Sequence, residues 1–130
     1  MKLGKMAVAL IEDNPLLRVP TAKALDEAGF HVISAANGAE GLALLQDAEI
    51  DIAVINMVLP GHLDGAVVAV EAKKQNAKLR IVFTGEDAPS RELKKRRLGR
   101  FLRKPYQTGE LLSLIAQRPG KASGAGDPPA

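Results

Sequence analysis

The chain has 130 residues, 46% hydrophobic and 25% charged, with a formal net charge of +3; that is one domain's worth, with enough core to fold without a metal or disulfide. It has no cysteine, which excludes disulfides, thiolate zinc sites and cysteine nucleophiles together and accords with a reducing, cytoplasmic setting. No stretch approaches the roughly 20 apolar residues of a membrane span, nothing at the N-terminus reads as a secretion signal, and aromatic residues at 3% are too few for a base-stacking platform.

In chain order, five short apolar blocks read as strands: Met6–Ile11, Phe30–Ala35, Asp51–Ile55, Leu79–Phe83 and Arg100–Leu102. Several are nearly continuous apolar runs, as expected where both faces of a parallel sheet are covered. The intervals carry helical spacing. The first places Leu16, Val19, Leu25 and Ala28 on one face, with Gly29 as the stop. The second uses Leu42, Leu44 and Leu45 behind Asn37-Gly38, and the third spans Gly65–Gln75. A short basic fourth covers Ser90–Arg97, and the fifth runs Thr108–Gln117 with Thr108 as N-cap. Five β-α units predict an α/β fold: a doubly wound, flavodoxin-like, five-stranded parallel sheet with helices on both faces. The domain is expected over residues 1–117. The Gly, Pro and Ala-rich residues 118–130 are expected to be a disordered tail.

Ligand chemistry in such sheets gathers at the carboxyl ends of the strands. Those ends hold Glu12-Asp13-Asn14-Pro15, Asn56, Thr84-Gly85 and Lys104-Pro105-Tyr106. Singly each has a bland reading: acids favour a helix N-terminus, and Thr-Gly and Lys-Pro pairs are ordinary turns. Together they converge on one edge. Adjacent acids suit Mg²⁺, and a lysine with a hydroxyl suits a phosphoryl-type oxyanion.

Taken in order and spacing, IEDN, VINMVLPGHLDG, FTG and FLRKP resemble the signature set of response-regulator receiver domains over about residues 5 to 117. The resemblance implies the strand order 2-1-3-4-5 and a place in two-component, phosphorelay signalling. It implies Glu12 and Asp13 as a metal pair with the Val58 carbonyl as a further ligand. Thr84 and Lys104 become the phosphate contacts, Lys104 before a proline that is often cis, and Phe101 becomes the aromatic that toggles between buried and exposed.

Asn56 stands where that family carries the phosphate-accepting aspartate. A carboxamide offers no charged oxygen and cannot form the acyl phosphate. It also removes one negative charge, so Mg²⁺ held by Glu12, Asp13, Asn56 and Val58 is expected to be weak or absent. A quieter role has Asn56 bonding Lys104 and nearby amides. The Gly after Thr84 is expected to leave the pocket accessible. His62 is expected in solvent and His31 at the far end of its strand, neither a metal ligand.

The first functional expectation is therefore a stand-alone, non-enzymatic pseudo-receiver that is not phosphorylated and acts by binding a histidine kinase or downstream signalling protein. Its partner face is expected around Arg96, Arg97, Arg100 and Phe101, which also offers a homodimer contact through the fourth helix, fifth strand and fifth helix. An engineered Asp-to-Asn form of an ordinary receiver is the alternative. From Arg91 to Lys104 eight cations face one acid, a local +7 that leaves −4 elsewhere. That block is either a solvated helix face or an attractor for acidic partners. As a nucleic-acid-binding module the chain lacks a recognition helix, and as a phosphatase or phosphotransferase it lacks a nucleophile.

Overall fold

The computed structural model describes residues 5–47 and 49–116, so the expected tail lies outside the described residues. The elements alternate as β1 (Ala7–Ile11), α1 (Pro15–Glu27), β2 (His31–Ala35), α2 (Gly38–Asp47), β3 (Ile52–Asn56), α3 (Gly65–Gln75), β4 (Arg80–Gly85), α4 (Arg91–Arg96), β5 (Arg100–Arg103) and α5 (Thr108–Ala116). The strands form one parallel sheet in the order β2-β1-β3-β4-β5, the doubly wound order expected. β1 and β3 are central and buried throughout, whereas β2 at the edge is half exposed. Their unbroken apolar runs follow from that: a central strand with helices on both faces has no side for polar residues.

Alternate residues feed two cores, because successive side chains on a strand point to opposite faces. Val8, Leu10 and Val54 pack with Leu25 of α1 and with Leu111 and Ile115 of α5. Ala9, Ile11, Ile55 and Phe83 pack with Val68, Ala69 and Ala72 of α3, and Leu44 and Leu45 of α2 lean on that side.

The buried stripe of α1 differs from the expected one. Thr21 and Leu25 are buried, while Leu16 is 84% and Val19 is 61% exposed. Nine residues separate Leu16 from Leu25, about two and a half turns, so the two point in opposite directions. Ala28 is the C-cap rather than a face residue. The helix also runs through Pro20, which has no amide to give Leu16; both are exposed, where water can serve the freed carbonyl. At α5, Thr108 lies inside the first turn. Gln107 precedes it, with the Glu110 carboxylate accepting from the Gln107 amide at 2.8 Å, which is the reciprocal half of a capping box.

Gly65 fixes the start of α3. A Cβ there would collide with the Asn56 carbonyl and Met57 Cα, backbone atoms that cannot move aside, so only glycine lets α3 begin this close to the end of β3.

Leu25→Ala is expected to lower unfolding free energy by about 3 kcal/mol in urea titrations. Leu16→Ala should stay within about 0.5 kcal/mol; comparable losses would restore the face read from the sequence.

Candidate functional site

The ends of β1, β3 and β5 meet at the carboxyl edge of the sheet, and backbone bonds beyond the strands fix their positions. The Glu12 amide donates to Ala35 O at 3.0 Å, the Met57 amide to Thr84 O at 2.8 Å and the Lys104 amide to Gly85 O at 2.7 Å. The ladder thus continues one residue past three strands, which is where the charged side chains sit. The Lys104–Pro105 peptide is cis.

Glu12 is the centre of the site. Only 2% exposed, its carboxylate accepts from Lys104 Nζ at 2.8 Å on one oxygen. The other oxygen accepts from the Asn14 amide at 2.9 Å and from Asn56 Nδ2 at 3.3 Å. Asn56 Nδ2 also donates to Asp13 Oδ1 at 2.9 Å and to the Val58 carbonyl at 3.0 Å. One carboxamide therefore touches both acids and the loop after its own strand. Asp13 and Val58 themselves are exposed, Val58 at 77%, so the site opens to solvent on that side.

The structure brings together Glu12, Asp13, Asn56, the Val58 carbonyl and Lys104, but wires them differently from the quieter role considered for Asn56. Lys104 takes Glu12, and the amide turns to the acids instead, because a cation is worth most against the one buried carboxylate. Thr84 pairs with Asn56 in the sheet register and is 2% exposed. Among the described residues no hydrogen bond links its hydroxyl to Asn56 or Lys104. Gly85 itself is buried, and a Cβ there would make ordinary van der Waals contact with Met57 at 3.4 Å and with Phe101 at 3.5 Å, so a methyl group fits at that position. Phe101 is half-buried against the α3 core, and Arg100 is half-buried, whereas Arg96 and Arg97 are exposed. His62 is exposed, and His31 opens β2 at its far end.

Three contributors were not found in the sequence. Arg18 Nη1 donates to the Glu12 carbonyl at 2.9 Å and the Asp13 carbonyl at 3.3 Å. Its place one turn into a helix that starts at the acids was the signal available. Asn14 caps α1 by accepting from the Leu16 amide at 2.9 Å, which aims its own amide at Glu12. Tyr106 OH meets Thr21 Oγ1 at 3.2 Å, tying the loop after β5 to α1. Burial, chiefly, pushes the Tyr106 phenol above its ordinary 10.0; the Thr21 bond opposes this and the Glu12 charge adds to it.

For Mg²⁺, the donor set does not fit as it stands. The cation needs oxygens at about 2.0–2.1 Å in a near-octahedral cage. Here Glu12, Asp13 and the Val58 carbonyl surround a nitrogen at hydrogen-bond distances. The weakening expected from the lost charge thus acquires a second, geometric cause. Among the described residues no group of three or more His, Cys, Asp or Glu side chains is placed to hold a metal ion.

Comparison with known proteins places this edge in context. The family profile described as the response regulator receiver domain matches residues 8–116. The chain is 30% identical over 118 residues to the response regulator receiver protein CpdR of Brucella abortus, covering 83% of this chain and 92% of that protein. It is 30% identical over 119 residues to the sensor kinase CckA of Brucella abortus, covering 88% of this chain. It spans 12% of that kinase and about half the length of the transcriptional regulators it also matches. Among solved structures, a response regulator receiver protein from Sinorhizobium medicae superposes with a TM-score of 0.80 at 25% identity, covering 89% of this chain and 95% of that one.

Two measurements probe the wiring. Lys104→Met strands a buried carboxylate and is expected to cost about 3 kcal/mol in chemical denaturation; a loss below about 1 kcal/mol would mean that Glu12 is held without it. The Tyr106 contribution works through its neutral form, so it is complete below about pH 10 and is lost as pH rises through the raised value. Relative to Tyr106→Phe, the chain should lose stability above about pH 10, and parallel pH curves for the two would refute the burial argument.

Proposed function

The chain belongs to the response regulator receiver domain family of two-component signalling, and from that premise we propose that it is a receiver that signals without being phosphorylated. Family members work with histidine kinases and downstream proteins; this one, on the proposal, keeps the binding and has lost the phosphoryl step. The observation that carries the reading is Asn56. Its nitrogen lone pair is delocalised and its two N–H groups are committed to Asp13, Val58 and Glu12, so no nucleophile stands at the end of β3. Nor does another group replace it: the Thr84 hydroxyl is buried, among the described residues no base is hydrogen-bonded to it, and activation of a hydroxyl requires one. On this reading the chain is not an enzyme, and Glu12, Asp13 and Lys104 serve as framework rather than as a reaction centre.

Binding is assigned to the α4–β5–α5 side. α4 buries none of its residues, and Arg91, Lys94, Lys95, Arg96 and Arg97 are all exposed, a concentration of charge that favours an acidic protein surface and fast, salt-sensitive association. Nothing in the arrangement singles out a second copy of the chain as that partner. Among the described residues no helix is long and apolar enough to cross a membrane, which accords with a module working in the cytoplasm. The domain assigned to residues 1–117 is the unit proposed to do this.

Incubation with a small acyl phosphate and Mg²⁺, read by intact mass, is expected to leave the chain unmodified while Asn56→Asp gains one base-labile phosphoryl group. Stoichiometric labelling of the unaltered chain would overturn the proposal. Duplex DNA added at low salt should bind weakly or not at all; tight, steeply salt-dependent binding would favour the nucleic-acid reading instead.

A further inference from the structure

Three oxygens surround the Asn56 amide nitrogen: Asp13 Oδ1 at 2.9 Å, the Val58 carbonyl at 3.0 Å and Glu12 Oε2 at 3.3 Å. Their chemistry decides which end of the carboxamide faces them. All three are acceptors, so the nitrogen is favoured there and the amide oxygen would be repelled by each. Two N–H groups serve three acceptors, and the longer contact to Glu12 is the shared one. These are also the groups that would have to converge on a bound cation.

The charges balance without an ion. Glu12 and Asp13 contribute two negative charges. Lys104 stands on the Glu12 carboxylate at 2.8 Å, and Arg18 lies against the carbonyls of both acids, so two positive charges answer them. An aspartate at position 56 would add a third negative charge and replace the donor with an oxygen. In that form the oxygens would repel one another unless a cation joined them.

We propose that the Asn56 carboxamide is a built-in substitute for a divalent cation. It bridges Glu12, Asp13 and the loop carbonyl of Val58, and with Lys104 and Arg18 it leaves the edge assembled, neutral and indifferent to Mg²⁺. The proposal rests on reading Asn56 as inert toward phosphoryl transfer and removes the metal, too, from control of the site. Contacts with a partner are then the remaining means of shifting it.

Manganese is a direct probe, because bound Mn²⁺ broadens nearby amide signals in a ¹⁵N correlation spectrum. Titrated with MnCl₂, the unaltered chain should keep the signals of Glu12, Asp13 and Met57 at concentrations that erase them in Asn56→Asp, with a gap of about tenfold or more in half-broadening concentration. Melting in MgCl₂, against NaCl of equal ionic strength, should be unchanged for the chain and raised for Asn56→Asp. If that variant does not fold without metal, Asn56→Ala removes the bridging amide without adding charge and should also gain manganese affinity over the chain. Equal broadening of the chain and its variants overturns the proposal. So does equal insensitivity, since the obstacle would then lie outside the amide. A chain that binds manganese and still refuses the phosphoryl label overturns the substitute and leaves the proposed function standing.

Discussion

At 2% exposure the Glu12 carboxylate has to be compensated within the protein, because an ionised group stripped of water and left unpaired costs several kcal/mol. Three partners supply that compensation, two of them from far apart in the chain. Lys104 comes from 92 residues away, the Asn56 amide from 44, and the Asn14 amide from the next turn. The edge therefore closes only when β1, β3 and β5 are in place together. Glu12 also orders what surrounds it: the capped start of α1 lies two residues on, and Arg18 returns from that helix to hold the carbonyls of the acid pair.

The same arrangement shows how the strand ends of a receiver fold can be held together with a carboxamide at position 56. Most of the fold's stability lies in the two apolar layers on either side of β1 and β3, which no change at position 56 touches. At the edge, a carboxamide can do what neither an aliphatic residue nor a bare carboxylate could, because it donates to two acids and a carbonyl at once. The site is satisfied by internal bonds, and a satisfied polar network rigidifies the strand ends. What remains open to the outside is the exposed, strongly basic α4 side. On the proposed function, signalling through that surface needs no atom of the pocket to react.

Much of this was legible in the residues. The unbroken apolar blocks and their spacing led to five β-α units in a parallel sheet, the family resemblance supplied the strand order, and the strand ends led to Glu12, Asp13, Asn56 and Lys104 as neighbours. Strand-end positions are readable because the topology, rather than side-chain detail, brings them together. The failures concern direction. Leu16 and Val19 were placed on the core side of α1 by their apolar character, although the helical period turns them outward. The quieter role offered for Asn56 had it bonding Lys104, but the lysine pairs with Glu12: a cation follows the buried charge, and the burial of Glu12 is a property of the packed sheet. Arg18 was missed for a related reason: its targets are backbone carbonyls, and only its place one turn into α1 hinted at the contact.

The orientation of one amide group carries the account, and the side-chain NH₂ of Asn56 reports on it directly. In a ¹⁵N-labelled sample its two protons should exchange slowly with water, since each is held by an oxygen of Asp13, Val58 or Glu12 at an edge where Asn56 is 7% exposed. Rapid exchange of both protons would show that the carboxamide does not bridge the acids.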